Sequence, residues 1–189
     1  MDNLIETIPG LGWSQIDKRA FEHDGCVVDV GCYMWDWSNS LIGKKRIVGV
    51  DPLEENIPNG VEMFKGLLGP FNCELPVTGE GISLSVDNHS DDITLKKSQM
   101  LSWKTFCKKF NIGKISILKL NIEGSEYTLL NSMDTDDFNQ IDQIAVSFHD
   151  WLNPKYKNLT ESSLNLLKNS GFKVVSIYEP YGWYLATKE

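Results

Sequence analysis

Four apolar runs in this chain stop on polar residues, and this pattern constrains the fold more than any single motif. Residues 26–30 lead through Asp29 to Gly31, 47–50 run into Asp51-Pro52, 115–122 lead through Asn121 to Glu123, and 143–148 run into His149-Asp150. Short apolar, β-branched runs bounded by turn residues read as buried strands. In an open parallel sheet the carboxyl ends of the strands share one edge, and ligands bind outside that edge where the strand order reverses. The four polar ends are therefore expected to converge on one site.

The intervening segments support an α/β chain of one domain spanning residues 1–189. Residues 1–25 read as a helical lead-in, broken by Pro9-Gly10 and Gly12. A helix over 35–41, a strand over 47–50, a truncated helix over 53–57 and a strand over 61–65 make successive β-α-β crossovers. From 67 to 97 the pattern changes to short alternating runs, such as 82–86 and 93–95, separated by glycine, proline and Asp/Asn clusters. These predict an antiparallel, β-rich insertion before the fourth strand. Leu101, Phe106 and Phe110 stripe one helix, Glu123 to Glu126 start another, and Thr160 caps a third that stops at Gly171. Strands over 172–178 and 184–187 close the chain.

Charge and cysteine usage narrow the partners. A net charge of -8 and a pI near 4.9 disfavour a nucleic-acid partner, because the surface repels a polyanion at long range. Lys96, Lys97, Lys104, Lys108 and Lys109 read as a solvated face. Cys26, Cys32, Cys73 and Cys107 form no CxxC pair and read as free thiols in a reducing compartment. The start of the chain lacks a secretion-signal pattern and no run is long enough to span a membrane, so the expectation is a cytoplasmic protein with no membrane partner. Asp87, His89 and Asp91 imitate a calcium loop, but Asp92 replaces its glycine and Ser98 its bidentate glutamate. No zinc pattern or nucleophile elbow is present either.

The chemistry at the strand ends suits a cofactor with a ribose and an amino-acid end. A carboxylate ending the second strand, Asp51, can accept both ribose hydroxyls. Gly31 lets backbone approach the ligand, and Asp29 is placed to orient the ammonium side. A dinucleotide fits less well, because the residues after Gly31 are Cys32, Tyr33, Met34, Trp35 and Asp36, so GxGxxG fails at both later glycines. Lys119, Asn121 and Glu123 alternate along one strand and face one side. His149, with Glu123 as the competing base, is the candidate to take a hydroxyl proton.

With these residues assembled, the chain resembles the FkbM-like family of S-adenosylmethionine-dependent methyltransferases, of the class I Rossmann-like fold. The resemblance rests on VVDVG with Ser38 seven residues after Gly31, IVGVDP, KLNIEGSEYTLL, and the strand running into Phe148-His149. It implies a three-layer sandwich around a seven-stranded, mostly parallel sheet whose last strand is antiparallel. It also implies S-adenosyl-L-methionine as cofactor and methyl transfer to a hydroxyl of a small-molecule or glycan acceptor. By this resemblance Asp29, Gly31, Cys32, Tyr33, Trp35, Ser38, Asp51 and Pro52 bind the cofactor, and His149, Glu123, Asn121 and Lys119 serve catalysis. Two departures stand out. Cys32, Tyr33 and Trp35 occupy a loop that is bare in the family, so the indole is expected to wall the cofactor pocket or fill it. Asn121 replaces an aspartate, and its amide can orient a hydroxyl but is no base. These departures leave a second reading, a cofactor-binding scaffold used as an interaction module, and a third, a nicotinamide oxidoreductase on a related sheet.

Overall fold

The structure, a computed structural model, describes residues 5–7, 15–53, 56–77 and 96–188. In chain order, β1 (Ile5–Thr7) pairs antiparallel with β2 (Gln15–Asp17), and a 3-10 turn over Lys18–Phe21 leads to β3 (Cys26–Val30), β4 (Ile47–Val50) and β5 (Val61–Phe64). Then come β6 (Leu67–Gly69), β7 (Cys73–Val77), β8 (Lys96–Ser102), α1 (Trp103–Lys109) and β9 (Ile115–Leu120). The chain ends with α2 (Glu126–Ser132), α3 (Thr135–Asn139), β10 (Gln143–Ser147), α4 (Lys157–Asn169), β11 (Lys173–Tyr178) and β12 (Trp183–Thr187).

Seven strands form the main sheet in the order β11-β12-β10-β9-β3-β4-β5. β3, β4, β5, β9 and β10 run parallel, while β12 is antiparallel to both of its neighbours, β10 and β11. The chain moves outward from β3 through β4 to β5 and resumes on the other side of β3 with β9. The reversal of strand order therefore lies between β3 and β9, where a crevice opens at the carboxyl ends. The segment between β5 and α1 contributes a separate sheet, β6-β8-β7, which is mixed, since β6 and β8 run parallel and β7 opposes β8. The expected strands over 82–86 and 93–95, and the imitation calcium loop, lie outside the described residues. β8 runs on to Ser102, whose hydroxyl accepts from Thr105 N and caps α1 directly.

The two faces of the sheet are covered by different means. Val28, Val30, Leu118, Leu120, Ile144 and Val146 project to a face packed by Phe106, Leu129, Leu130, Phe138 and Leu167 from the four α-helices. Val27, Ile117 and Ala145 project to the other face, which is covered by Ile16, Ala20, Trp35, Trp37 and Leu41. No α-helix covers that second face among the described residues, which departs from the expected helical layer on each side. The helix expected over 35–41 is two 3-10 turns, Tyr33–Trp35 and Asn39–Leu41. Met34 and Trp35 both hold positive φ, which stops an α-helix from propagating, and Asp36, Ser38, Asn39 and Ser40 are residues of low intrinsic helix preference. The lead-in is likewise β-strand and 3-10 turn where it is described, not α-helix, and Gln143 ties it to the sheet through paired bonds with the Asp17 backbone.

Indoles take the place of the missing helix. Trp35 lies over Gly49 of β4, where an added Cβ would come within 2.3 Å of the ring and 2.9 Å of Cys32 Sγ. The indole thus fits only because β4 carries a glycine beneath it. Gly49→Ala is expected to destabilise the fold by about 1–3 kcal/mol through overpacking, and Trp35→Leu in the same chain to recover part of that loss. Urea unfolding midpoints of the three proteins check both statements.

Candidate functional site

The four polar strand ends do converge. They border one cleft of about 680 Å³ that runs along the carboxyl edge of the sheet, with the insertion on its far side. Of the twelve residues expected at the site, Asp29, Gly31, Cys32, Tyr33, Asp51, Pro52, Lys119, Asn121, Glu123 and His149 line this cleft. Trp35 and Ser38 do not. Trp35 neither walls nor fills the cleft: it is 3% exposed and belongs to the core over Gly49, while Ser38 is fully buried. The physical reason is the positive φ at Met34 and Trp35, which turns the indole inward and leaves Met34 outside, 63% exposed at the cleft.

The centre of the site is built across β3 and β9. Asp29 and Lys119 are register partners on these adjacent parallel strands, so their side chains leave the same face side by side. Lys119 Nζ sits 2.9 Å from Asp29 Oδ1, with both side chains at 4% exposure or less, and also donates to the Gly31 carbonyl. Asp29 is thus neutralised from within the sheet, and Lys119 fixes the turn that follows β3. Gly31 completes that turn at φ 78, where an added Cβ would fall 1.9 Å from the Asn121 carbonyl oxygen. Both the conformation and the close approach require glycine. Asn121 N in turn donates to the Val30 carbonyl, which extends the β3–β9 ladder into the site.

Asp51 ends β4, largely buried, and its Oδ1 accepts from Leu53 N at 2.8 Å. This bond within the Asp51-Pro52-Leu53 turn fixes the orientation of the carboxylate at the cleft wall.

A second cluster joins β9, α2 and β10. Glu123 adopts φ 53 and Gly124 φ 99, so two left-handed residues swing the chain from β9 into α2. Glu126 pins this turn: Oε1 accepts from Ile122 N at 2.6 Å and Oε2 from Gly124 N at 3.0 Å. The same buried carboxylate stands 2.9 Å from His149 Nδ1, and Glu123 Oε1 stands 3.6 Å from His149 Nε2. Burial works to push the His149 pKa down, but hydrogen bonds and charge from Glu123 and Glu126 outweigh it and raise the value to about 9. At neutral pH His149 is therefore an imidazolium between two carboxylates, not the free base that its ordinary pKa suggested.

Sequence reasoning missed Glu126 as a site residue, because a glutamate in the first turn of a helix is already favoured by the helix dipole. It also missed the contribution of the insertion, from which Leu67, Gly69, Phe71 and Leu75 line the cleft, joined by Met100 of β8 just beyond it. The available signal was topological. The insertion leaves from the carboxyl end of β5, which shares the ligand edge with the other parallel strands.

Residues 74–174 match the family model described as the Methyltransferase FkbM domain. No match is found among curated protein sequences. Among solved structures, the chain is similar to the crystal structure of Methyltransferase FkbM from Methylobacillus flagellatus KT, at 14% identity and a TM-score of 0.57. That alignment covers 87% of this chain and 43% of the other, so the present chain spans less than half the length of that protein. At this identity the likeness concerns the fold, a mixed α/β architecture with a mostly parallel seven-stranded sheet.

The charged cluster predicts a specific pH dependence of stability. The His149 pKa is about 9 in the fold against 6.5 for an unperturbed histidine, so its contribution is complete below about pH 6.5 and is lost as pH rises through about 9. The stability difference between the wild type and His149→Gln is expected to shrink by about 3 kcal/mol between pH 6 and pH 10. Denaturant titrations at a series of pH values check this, and a difference that grows with pH contradicts the assignment.

Proposed function

The chain belongs to the FkbM methyltransferase domain family, and on that premise we propose that it is an S-adenosylmethionine-dependent O-methyltransferase acting on a small-molecule or glycan hydroxyl. The observation that carries this reading is the single cleft uniting Gly31, Asp51, Glu123 and His149 at the reversal of strand order. The residues present fit the cofactor. A cleft of about 680 Å³ is of the size of small-molecule sites, and Asp51 offers a fixed carboxylate to a vicinal diol. Asp36, Asp51 and Glu123 line the cleft and suit a ligand that carries positive charge.

In this reading Asp51 and Pro52 hold the ribose side, while Gly31, Cys32 and Tyr33 form the backbone wall against the amino-acid side. Asp29 acts through Lys119: the ion pair holds the Gly31 carbonyl and so the shape of that wall. S-adenosylmethionine, when bound, would supply a sulfonium-activated methyl group open to attack at carbon by a hydroxyl oxygen, the carbon–sulfur electron pair going to the departing thioether. Positioning of the acceptor provides much of the rate, since an oxygen held in line about 3 Å from its target is in a reactive pose. Glu123 is the carboxylate at the cleft placed to take the hydroxyl proton. His149, kept protonated by its two glutamates, orients Glu123 and stabilises its charge. Asn121 orients the hydroxyl from the end of β9.

The scaffold reading drew on Trp35 and Asn121. Trp35 lies in the core and leaves the cleft open, which takes away the main reason for that alternative. Two measurements test the proposal. S-adenosylhomocysteine should raise the melting temperature of the wild type and not of Asp51→Ala. Glu123→Gln should keep that shift but lower methyl transfer about 100-fold or more, the range expected for loss of a general base. A shift that survives Asp51→Ala, or stabilisation by NAD in place of S-adenosylhomocysteine, contradicts the reading.

A further inference from the structure

The end of the cleft beyond His149 differs in character from the end at Asp51. The 3-10 turn His149–Trp151, which follows β10, and the turn Glu179–Tyr181, which joins β11 to β12, bring a row of rings to the surface. His149 and Trp151 have ring centres 5.7 Å apart, Trp151 and Tyr181 5.4 Å apart, and Tyr181 and Tyr178 5.5 Å apart. Trp151 and Tyr181 meet at 81°, so the indole and phenol planes enclose a right-angled corner, and the two residues remain 46% and 44% exposed at the rim of the cleft. Core packing does not account for rings so open to water. Their faces are negative in electrostatic character.

The charges around this corner have the same sign. Asp150 and Glu179 flank the two rings in sequence, one in each turn. Both lie near Tyr184, whose phenol is raised first by burial and then by the charges of these two carboxylates. Glu123 and Glu126 stand behind His149, at 3.6 and 2.9 Å from its two ring nitrogens. Among the described residues, Lys119 is the one lysine or arginine lining the cleft, and it is buried against Asp29. Nothing in the lining among the described residues offers an exposed cation to a phosphate, sulfate or carboxylate.

We propose that this corner selects an acceptor carrying an ammonium group, primary or quaternary, which rests against Trp151 and Tyr181 while its hydroxyl reaches Glu123. The inference rests on the methyl-transfer reading for the identity of the site and adds the charge class of the acceptor. A cation over an aromatic face is attracted by the ring quadrupole, most strongly by an indole, and nearby carboxylates add to that attraction. An anionic acceptor meets repulsion from the ring faces and the carboxylates, the cation beside them, His149, being buried and already paired with Glu123 and Glu126, and a neutral one loses both terms.

The test uses three probes of one shape: choline, its neutral isostere 3,3-dimethyl-1-butanol, and the anion 3,3-dimethylbutanoate. Their affinities are measured by ligand-observed NMR titration on the full chain, with and without S-adenosylhomocysteine. The expected result is choline bound about tenfold or more tighter than the neutral isostere, with the anion weakest. Trp151→Leu and Tyr181→Leu, both at exposed positions, should each reduce that preference while the thermal shift by S-adenosylhomocysteine persists. Glu179→Gln should weaken choline and leave the neutral probe unchanged. Equal binding of choline and its isostere, preferential binding of the anion, absence of choline binding, or a preference that survives both leucine variants overturns the proposal. Should S-adenosylhomocysteine fail to bind, the methyl-transfer reading fails, and the probe series without it still decides the charge class.

Discussion

Asp29 and Lys119 stand opposite each other on β3 and β9, both withdrawn from water, with Nζ 2.9 Å from Oδ1. Isolated burial of either charge would be costly, and removal of one partner from such a pair typically costs about 3–5 kcal/mol. The pair is tolerable because parallel register places the two side chains side by side and because the ammonium has a further acceptor in the Gly31 carbonyl. That third contact links the interior of the sheet to its working edge. Gly31 can then press against the Asn121 backbone, and the ends of the two central strands form one rigid wall at the point where strand order reverses.

The Glu123, Glu126 and His149 cluster does for β10 and α2 what the ion pair does for β3 and β9. Glu126 is a backbone clamp and a counter-ion at once, so the left-handed turn at Glu123 and Gly124 and the protonation of His149 are coupled. The two clusters divide the cleft. At Asp51 the groups are fixed acceptors suited to hydroxyls, and beyond His149 they are exposed rings among carboxylates. One edge of one sheet thereby carries two chemically different surfaces.

How the two faces of the sheet are covered decides how much room the cleft has. On the face opposite the α-helices, a helix after β3 would have presented its N-terminus to the ligand edge. Instead, two left-handed residues send Trp35 down over Gly49 and leave Met34 at the cleft. The indole of this loop is thus absorbed by the core, while Cys32, Tyr33 and Met34 stay at the cleft. Helix propensity in this stretch was a weak guide, because aromatic and Asp/Asn/Ser residues favour local turns and a large indole gains more from burial than from a helical surface.

The sequence by itself determined the strands of the main sheet, though not β1 and β2 of the lead-in, that most of them run parallel, and that Asp29, Gly31, Asp51, Asn121, Glu123 and His149 share an edge. Those features follow from local apolar runs and from the rule that parallel strands end together. It did not determine what each group faces. The partnership of Asp29 with Lys119, the double role of Glu126, the protonated state of His149 and the inward turn of Trp35 depend on strand register and on φ values set by tertiary contacts. Contacts between residues ninety positions apart, such as Asp29 and Lys119, leave no trace in the local pattern of either segment. A pKa raised to about 9 is likewise a property of the assembled charges, not of the histidine.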